Sequence, residues 1–132
     1  MRWLLALTLT LMMALPAKAQ QAEIENVISS QIQSFLRDDF DTAFTFAAPN
    51  IVGIFKTPER FAQMVVNGYP MVYRPADVEF RELEVRAGTL LQRVMLRDQL
   101  GNYYVAEYTM VQLGNDWKIA GVSIIRAPGV GA

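Results

Sequence analysis

A carboxylate facing a tyrosine inside an apolar pocket can move a proton beside a carbonyl, and the sequence holds parts for that chemistry. Glu107 and Asp98 are candidate bases; Tyr69, Tyr73, Tyr103, Tyr104 and Tyr108 are candidate donors. Arginine offers a second chemistry. If the loops pair the strands symmetrically, Arg93 meets Tyr108 and Arg97 meets Tyr104, and guanidinium forks suit a carboxylate ligand. Each group also has a plainer reading. Glu107 on a strand can point to solvent, tyrosines bury rings and wet hydroxyls, and arginine stacks on tyrosine at a surface or dimer rim.

Other chemistries are absent. With no histidine and no cysteine, the chain has no imidazole base, no Ser-His-Asp triad, no thiol nucleophile and no ordinary zinc ligands. Asp38-Asp39-Phe40-Asp41 is the one dense acid cluster, and it lacks the alternating ligands, glycine and closing glutamate of a calcium loop. Helix capping explains it more simply. Gly129 and Gly131 form no phosphate loop. No catalytic constellation, metal site or cofactor is expected.

Periodicity places these residues. From Glu23 to Asp38 the apolar positions Ile24, Val27, Ile28, Ile32, Phe35 and Leu36 share one helix face, with Glu23 and Glu25 in the first turn. Asp39 or Asp41 can cap a short helix over 42–47, and Asn50 can cap a turn over 51–55. Thr57-Pro58-Glu59 starts a helix that turns Phe61, Met64 and Val65 inward and ends at Asn67-Gly68. The period then changes to two, giving strands over 77–87, 89–98, 103–113 and 117–125. A phase switch between Phe80 and Leu83 predicts a bulge near Arg81-Glu82. Short turns make the strands an antiparallel meander, so the fold class is α+β: N-terminal helices packed on a curved four-stranded antiparallel sheet.

Symmetric pairing would set Leu91, Arg93, Met95 and Arg97 on one face with Tyr104, Ala106, Tyr108, Met110, Trp117 and Ile119. Leu90, Val94, Leu96, Val105, Glu107 and Val122 would take the other, and a one-residue slip would exchange them. Neither face is cleanly polar, so a homodimer through the sheet is expected.

Met1-Arg2, the thirteen-residue run Trp3–Leu15, Pro16 and Ala17-Lys18-Ala19 form the three parts of a secretory signal, with the cut between Ala19 and Gln20. The run is about 20 Å long as a helix, short of a ~30 Å bilayer core, so no stable membrane anchor is expected after cleavage. Residues 20–127 would form one domain and 128–132 a flexible tail, exported to the periplasm or beyond. Losing Arg2 and Lys18 leaves 10 bases against 13 acids, a net of −3. The bases are scattered, which fits no nucleic acid and no anionic membrane.

Phe40-Asp41-Thr42-Ala43-Phe44-Thr45-Phe46-Ala47-Ala48-Pro49-Asn50-Ile51 resembles a signature of a family of small exported bacterial proteins known only as a domain of unknown function. So do Ile54-Phe55 with Thr57-Pro58, Met64-Val65 with Gly68-Tyr69-Pro70, and Val72-Tyr73-Arg74-Pro75. Trp117-Lys118-Ile119-Ala120-Gly121-Val122 is similar to the final strand of the nuclear-transport-factor-2-like (SnoaL, ketosteroid-isomerase-like, cystatin-like) superfamily. The resemblance implies a cone-shaped fold, which hosts isomerases, dehydratases, binding modules and scaffolds alike. The expected function is a binding or interaction module whose apolar pocket accepts a small hydrophobic or weakly acidic ligand. A carboxylate–tyrosine isomerase or dehydratase is the alternative. A structural envelope dimer, its pocket plugged by Phe44, Phe46, Phe61 and Met64, is a third. Pocket candidates are Tyr69, Tyr73, Arg93, Arg97, Tyr104, Glu107 and Tyr108.

Overall fold

Ile24, Ile28, Gln31, Ile32 and Phe35 recur every three or four residues, and this stripe is the buried face of the first helix. The computed structural model describes residues 17–127. Helix α1 spans Ala17–Leu36, six residues longer at its start than periodicity indicated, so its first turn holds no acid. Ala19 and Gln20 lie inside it; the rest of the expected signal, except Ala17 and Lys18, lies outside the described residues, as does the expected tail. Asp38, at a φ of 56°, takes the left-handed position that closes α1, a place usually given to glycine or asparagine.

Short helices follow. Helix α2 (Phe40–Thr45) is capped by Asp39, whose carboxylate accepts from the Thr42 amide at 3.2 Å. Helix α3 (Pro49–Phe55) begins on its proline with Ala48 as cap residue. Asn50 is therefore inside α3 and does not cap it; its Nδ2 donates instead to Ala120 O at 2.8 Å. Helix α4 (Pro58–Gly68) starts as its sequence dictates, with the Thr57 hydroxyl accepting from the Arg60 amide. A single turn, α5 (Pro70–Tyr73), leads into the sheet.

Strands β1 (Asp77–Arg86), β2 (Thr89–Arg97), β3 (Tyr103–Leu113) and β4 (Asp116–Arg126) form an open antiparallel sheet in chain order. Arg86 pairs with Thr89 around Ala87 and Gly88, both at positive φ, the signature of a type I′ turn. The bulge foreseen near Arg81-Glu82 is present, because Phe80 pairs with Val94 while Leu83 pairs with Gln92. A second bulge sits at Ala120: Thr109 pairs with Gly121, but Met110 pairs with Ile119.

The register between β2 and β3 corrects the face assignment. Arg97 pairs with Tyr103, Arg93 with Glu107, Leu96 with Tyr104 and Gln92 with Tyr108. Arg93–Tyr108 and Arg97–Tyr104 are therefore not partners and lie on opposite faces. The connecting loop is the reason. The Asp98 carboxylate accepts from the amides of Leu100 and Asn102, both at 2.9 Å, and its own amide donates to Asn102 O. That closure sets the ladder one residue out of step with an Arg93–Tyr108 pairing, and one step exchanges the faces. The inner face, under the helices, thus carries Val94, Leu96, Ala106, Tyr108 and Met110. The Ala120 bulge then shifts β4 in phase, so both Val122 and Ile119 join that face.

Candidate functional site

The helices do not fill the space over β4. Gln31 and Phe35 of α1, Phe61, Met64 and Val65 of α4, and Ile119 and Val122 of β4 wall a cavity of about 300 Å³. Tyr69 and Val72 close one side, and Ile51, Ile54 and Phe55 of α3 lie over it. The volume stands at the lower bound of small-molecule pockets, ~300–1,000 Å³. Among the described residues, those lining it carry no charge, and only Gln31 and Tyr69 have polar side-chain groups.

Packing explains why the space is held open. Phe61 is propped by Phe44 at 5.2 Å between ring centroids, and by Phe35 and Phe55 at 6.0 Å each. Backbone hydrogen bonds hold the start of α3, where Phe46 O accepts from the Ile119 amide and Ala48 N donates to Ile119 O. The rest of α3 has no buried residue, and Ile54 is 66% exposed at the cavity rim. Its far end is strained. Lys56 stands at φ 71°, ψ −43°, and the Thr57 amide donates to Phe55 O at 2.8 Å, which is a γ-turn of the rare, positive-φ kind. A β-branched side chain fits that backbone worse than lysine, and glycine fits better. Lys56→Val is expected to lower stability by about 1–2 kcal/mol relative to Lys56→Gly in urea denaturation, the ordering being the check.

The family-model comparison places residues 17–132 in a Domain of unknown function, DUF4864. The chain belongs to this family. No curated protein and no solved structure matches it. The match takes in every described element of the DUF4864 chain, from α1 to β4.

Only one of the sequence-proposed pocket residues, Tyr69, lines the cavity of this DUF4864 domain. Arg93 and Glu107 face each other across the outer side of the sheet. Arg93 pairs with Glu82 at 2.9 Å, Glu84 at 2.8 Å and Glu107 at 3.4 Å, and Arg86 also reaches Glu107 at 3.4 Å. This cluster clamps the bulged strand β1 to β2 and β3. Tyr73 is bound up elsewhere: its hydroxyl donates to Asp38, which Arg74 also meets at 2.9 Å. The Tyr73 bond, with Arg74 beside it, outweighs burial and holds the Asp38 carboxyl below its usual range. Together they fasten α5 to the end of α1.

Tyr104 and Asp98 form a third group, at the β2–β3 loop. Burial raises the Asp98 carboxyl, but the Asn102 amide, the Asn102 side chain and the Tyr104 hydroxyl outweigh it and leave its pKa lowered. A carboxylate so held is a turn organiser and not a base. Arg97 borders this loop. Tyr108 is fully buried on the inner face, and burial pushes its hydroxyl pKa well up, so it stays neutral. Among the described residues that hydroxyl has no partner.

Gln31 and the residues of α3 matter most to the site, and the sequence signals them weakly. Gln31 sits on the apolar stripe of α1, 3% exposed, with Nε2 donating to Ala43 O at 3.2 Å. A glutamine at a core position of a helix was its one legible signal. Ile51, Ile54 and Phe55, expected as a single helical turn, belong to the two-turn α3, whose exposed apolar residues mark an interaction surface.

Proposed function

We propose that this chain is an exported binding module whose apolar cavity takes a small hydrophobic molecule. The observation that carries the reading is the uncharged cavity of about 300 Å³ between α1, α4 and β4, lying beneath α3. Such a space, apolar with a few convergent polar groups, is the usual form of a small-ligand site. A cone-type fold of the nuclear-transport-factor-2-like kind belongs to the same proposal, since a long helix against a four-stranded antiparallel sheet is the arrangement that likeness implies. Export rests on the charged start, the apolar run and Ala17-Lys18-Ala19.

The isomerase alternative has less support. Its carboxylates, Glu107 and Asp98, are engaged by arginines and by a turn, away from the cavity lining. The plugged-scaffold alternative fares no better, because Phe61 and Met64 wall the space and do not fill it. The proposal includes pairing of two copies through the outer sheet face, where Met95, Val105 and Val111 lie beside the Arg93 cluster. Native mass spectrometry of the protein, exported by its own signal and purified gently, tests all of this. The expected species is a dimer of chains starting at Gln20, with a discrete added mass that Val122→Trp removes by filling the cavity. Retention of residues 1–19 would overturn export, a monomer would overturn the sheet pairing, and an adduct unaffected by Val122→Trp would place the ligand elsewhere.

A further inference from the structure

Gln31 gives the cavity a direction. Ala43 O is purely an acceptor, so the Gln31 amide must present nitrogen to it, and the 3.2 Å bond fixes which arm is which. The arm left over is the carbonyl oxygen, on a side chain that lines the cavity and is 3% exposed. An acceptor on the wall of a cavity is completed by a donor, from water or from a ligand that displaces it. Charge makes a further restriction: a carboxylate entering a space whose lining, among the described residues, holds no cation would lose its hydration without compensation. Arg93, the best-placed guanidinium in the sequence, lies on the opposite side of the sheet, held by three glutamates. Size completes the description. A cavity of about 300 Å³ is roughly twice the ~150 Å³ void that holds one benzene ring.

From these three facts we infer that the ligand is a neutral, two-ring-sized apolar molecule bearing one hydroxyl or N–H, which it donates to Gln31 Oε1. This rests on the binding-module reading and narrows it, excluding from the weakly acidic ligands that the sequence left open those, such as carboxylates, that are charged at pH 7. Gln31 is then the specificity-determining residue, selecting by hydrogen bond within a site that otherwise sorts by size and polarity. A ligand that fills the cavity displaces water from Gln31 Oε1, so one lacking a donor leaves that acceptor bare and binds more weakly.

Three probes of one shape separate the contributions: naphthalene, 1-naphthol and 1-naphthoate, titrated into the full exported protein at pH 7 by calorimetry. The expected order is 1-naphthol tightest, about tenfold tighter than naphthalene, for a bond of net ~1.4 kcal/mol. Naphthoate should be the weakest. Plain partitioning out of water favours naphthalene over naphthol, so the expected order runs against the bland one. In Gln31→Met, of similar shape, naphthol should lose its advantage while naphthalene affinity holds within about threefold. Should that variant fail to fold, the wild-type series still decides. Naphthalene binding as tightly as naphthol would overturn the donor inference and leave the binding-module reading standing. Naphthoate binding tightest would overturn the exclusion of charge, and no binding of any probe would overturn the module reading together with the inference.

Discussion

Phe35→Ala is expected to lower stability by about 3–5 kcal/mol, the largest loss foreseen for a single substitution in this chain. Phe35 is 1% exposed at the end of the buried α1 stripe and touches both halves of the helical layer. Its ring lies 6.3 Å from Phe40 and 6.0 Å from Phe61. Large-to-small costs depend on how far the surroundings slump into the hole. Here they are propped: Phe61 is held from behind by Phe44 and Phe55. The new void would also merge with the existing cavity, so its walls would lose contacts without gaining others. Against a typical total of about 5–15 kcal/mol, such a loss is about a fifth or more of the fold's stability. In urea denaturation the midpoint should fall by roughly 2 M at unchanged slope. A loss below about 1 kcal/mol would mean that α1 does not anchor its layer through Phe35.

The sequence displays most of this architecture, because the signals were local. The α1 stripe, Asp39 before α2, Thr57-Pro58-Glu59 before α4 and the phase break after Phe80 each dictate an element over a few residues, and each is present. Facing was harder, being a relation between strands. One carboxylate, Asp98, sets the β2–β3 loop, and that single step decides whether Arg93 meets Tyr108 or Glu107. The candidate pocket residues were chosen for chemistry and dispersed by geometry. Arginines and most tyrosines went to clamps and turns, while the cavity was left to Ile, Val, Phe and Met.

Bulges show the same principle in reverse, since each leaves backbone carbonyls that no strand can satisfy. Two amide side chains answer them. Gln92, fully buried, donates from Nε2 to Arg81 O at 2.8 Å and Arg93 O at 2.9 Å at the β1 bulge. Asn50 does so for Ala120 O at the β4 bulge, and in the same act ties α3 across the cavity. The distortion that shifts β4 in phase is thereby coupled to the helix that covers the site. A glutamine or asparagine opposite a predicted bulge is a readable sign of that service.

Tyr108→Phe is expected to stabilise the protein by about 1–3 kcal/mol, the opposite sign from most core substitutions. Tyr108 is fully buried on β3, and its hydroxyl has no hydrogen-bond partner among the described residues. Across the ladder stands Gln92, whose Oε1 is likewise without a partner while its nitrogen serves the bulge. A hydroxyl brought out of water with nothing to bond costs its full desolvation, and phenylalanine keeps the ring packing while removing that cost. Proteins retain such burdens readily, since selection asks only for enough stability. Thermal melting is the measurement, with a rise of several degrees expected. A fall instead would show that the hydroxyl is bonded in solution, with Gln92 Oε1, on the paired residue, a candidate partner. Tyr108 would then be half of a satisfied buried pair that holds Gln92 against the β1 bulge.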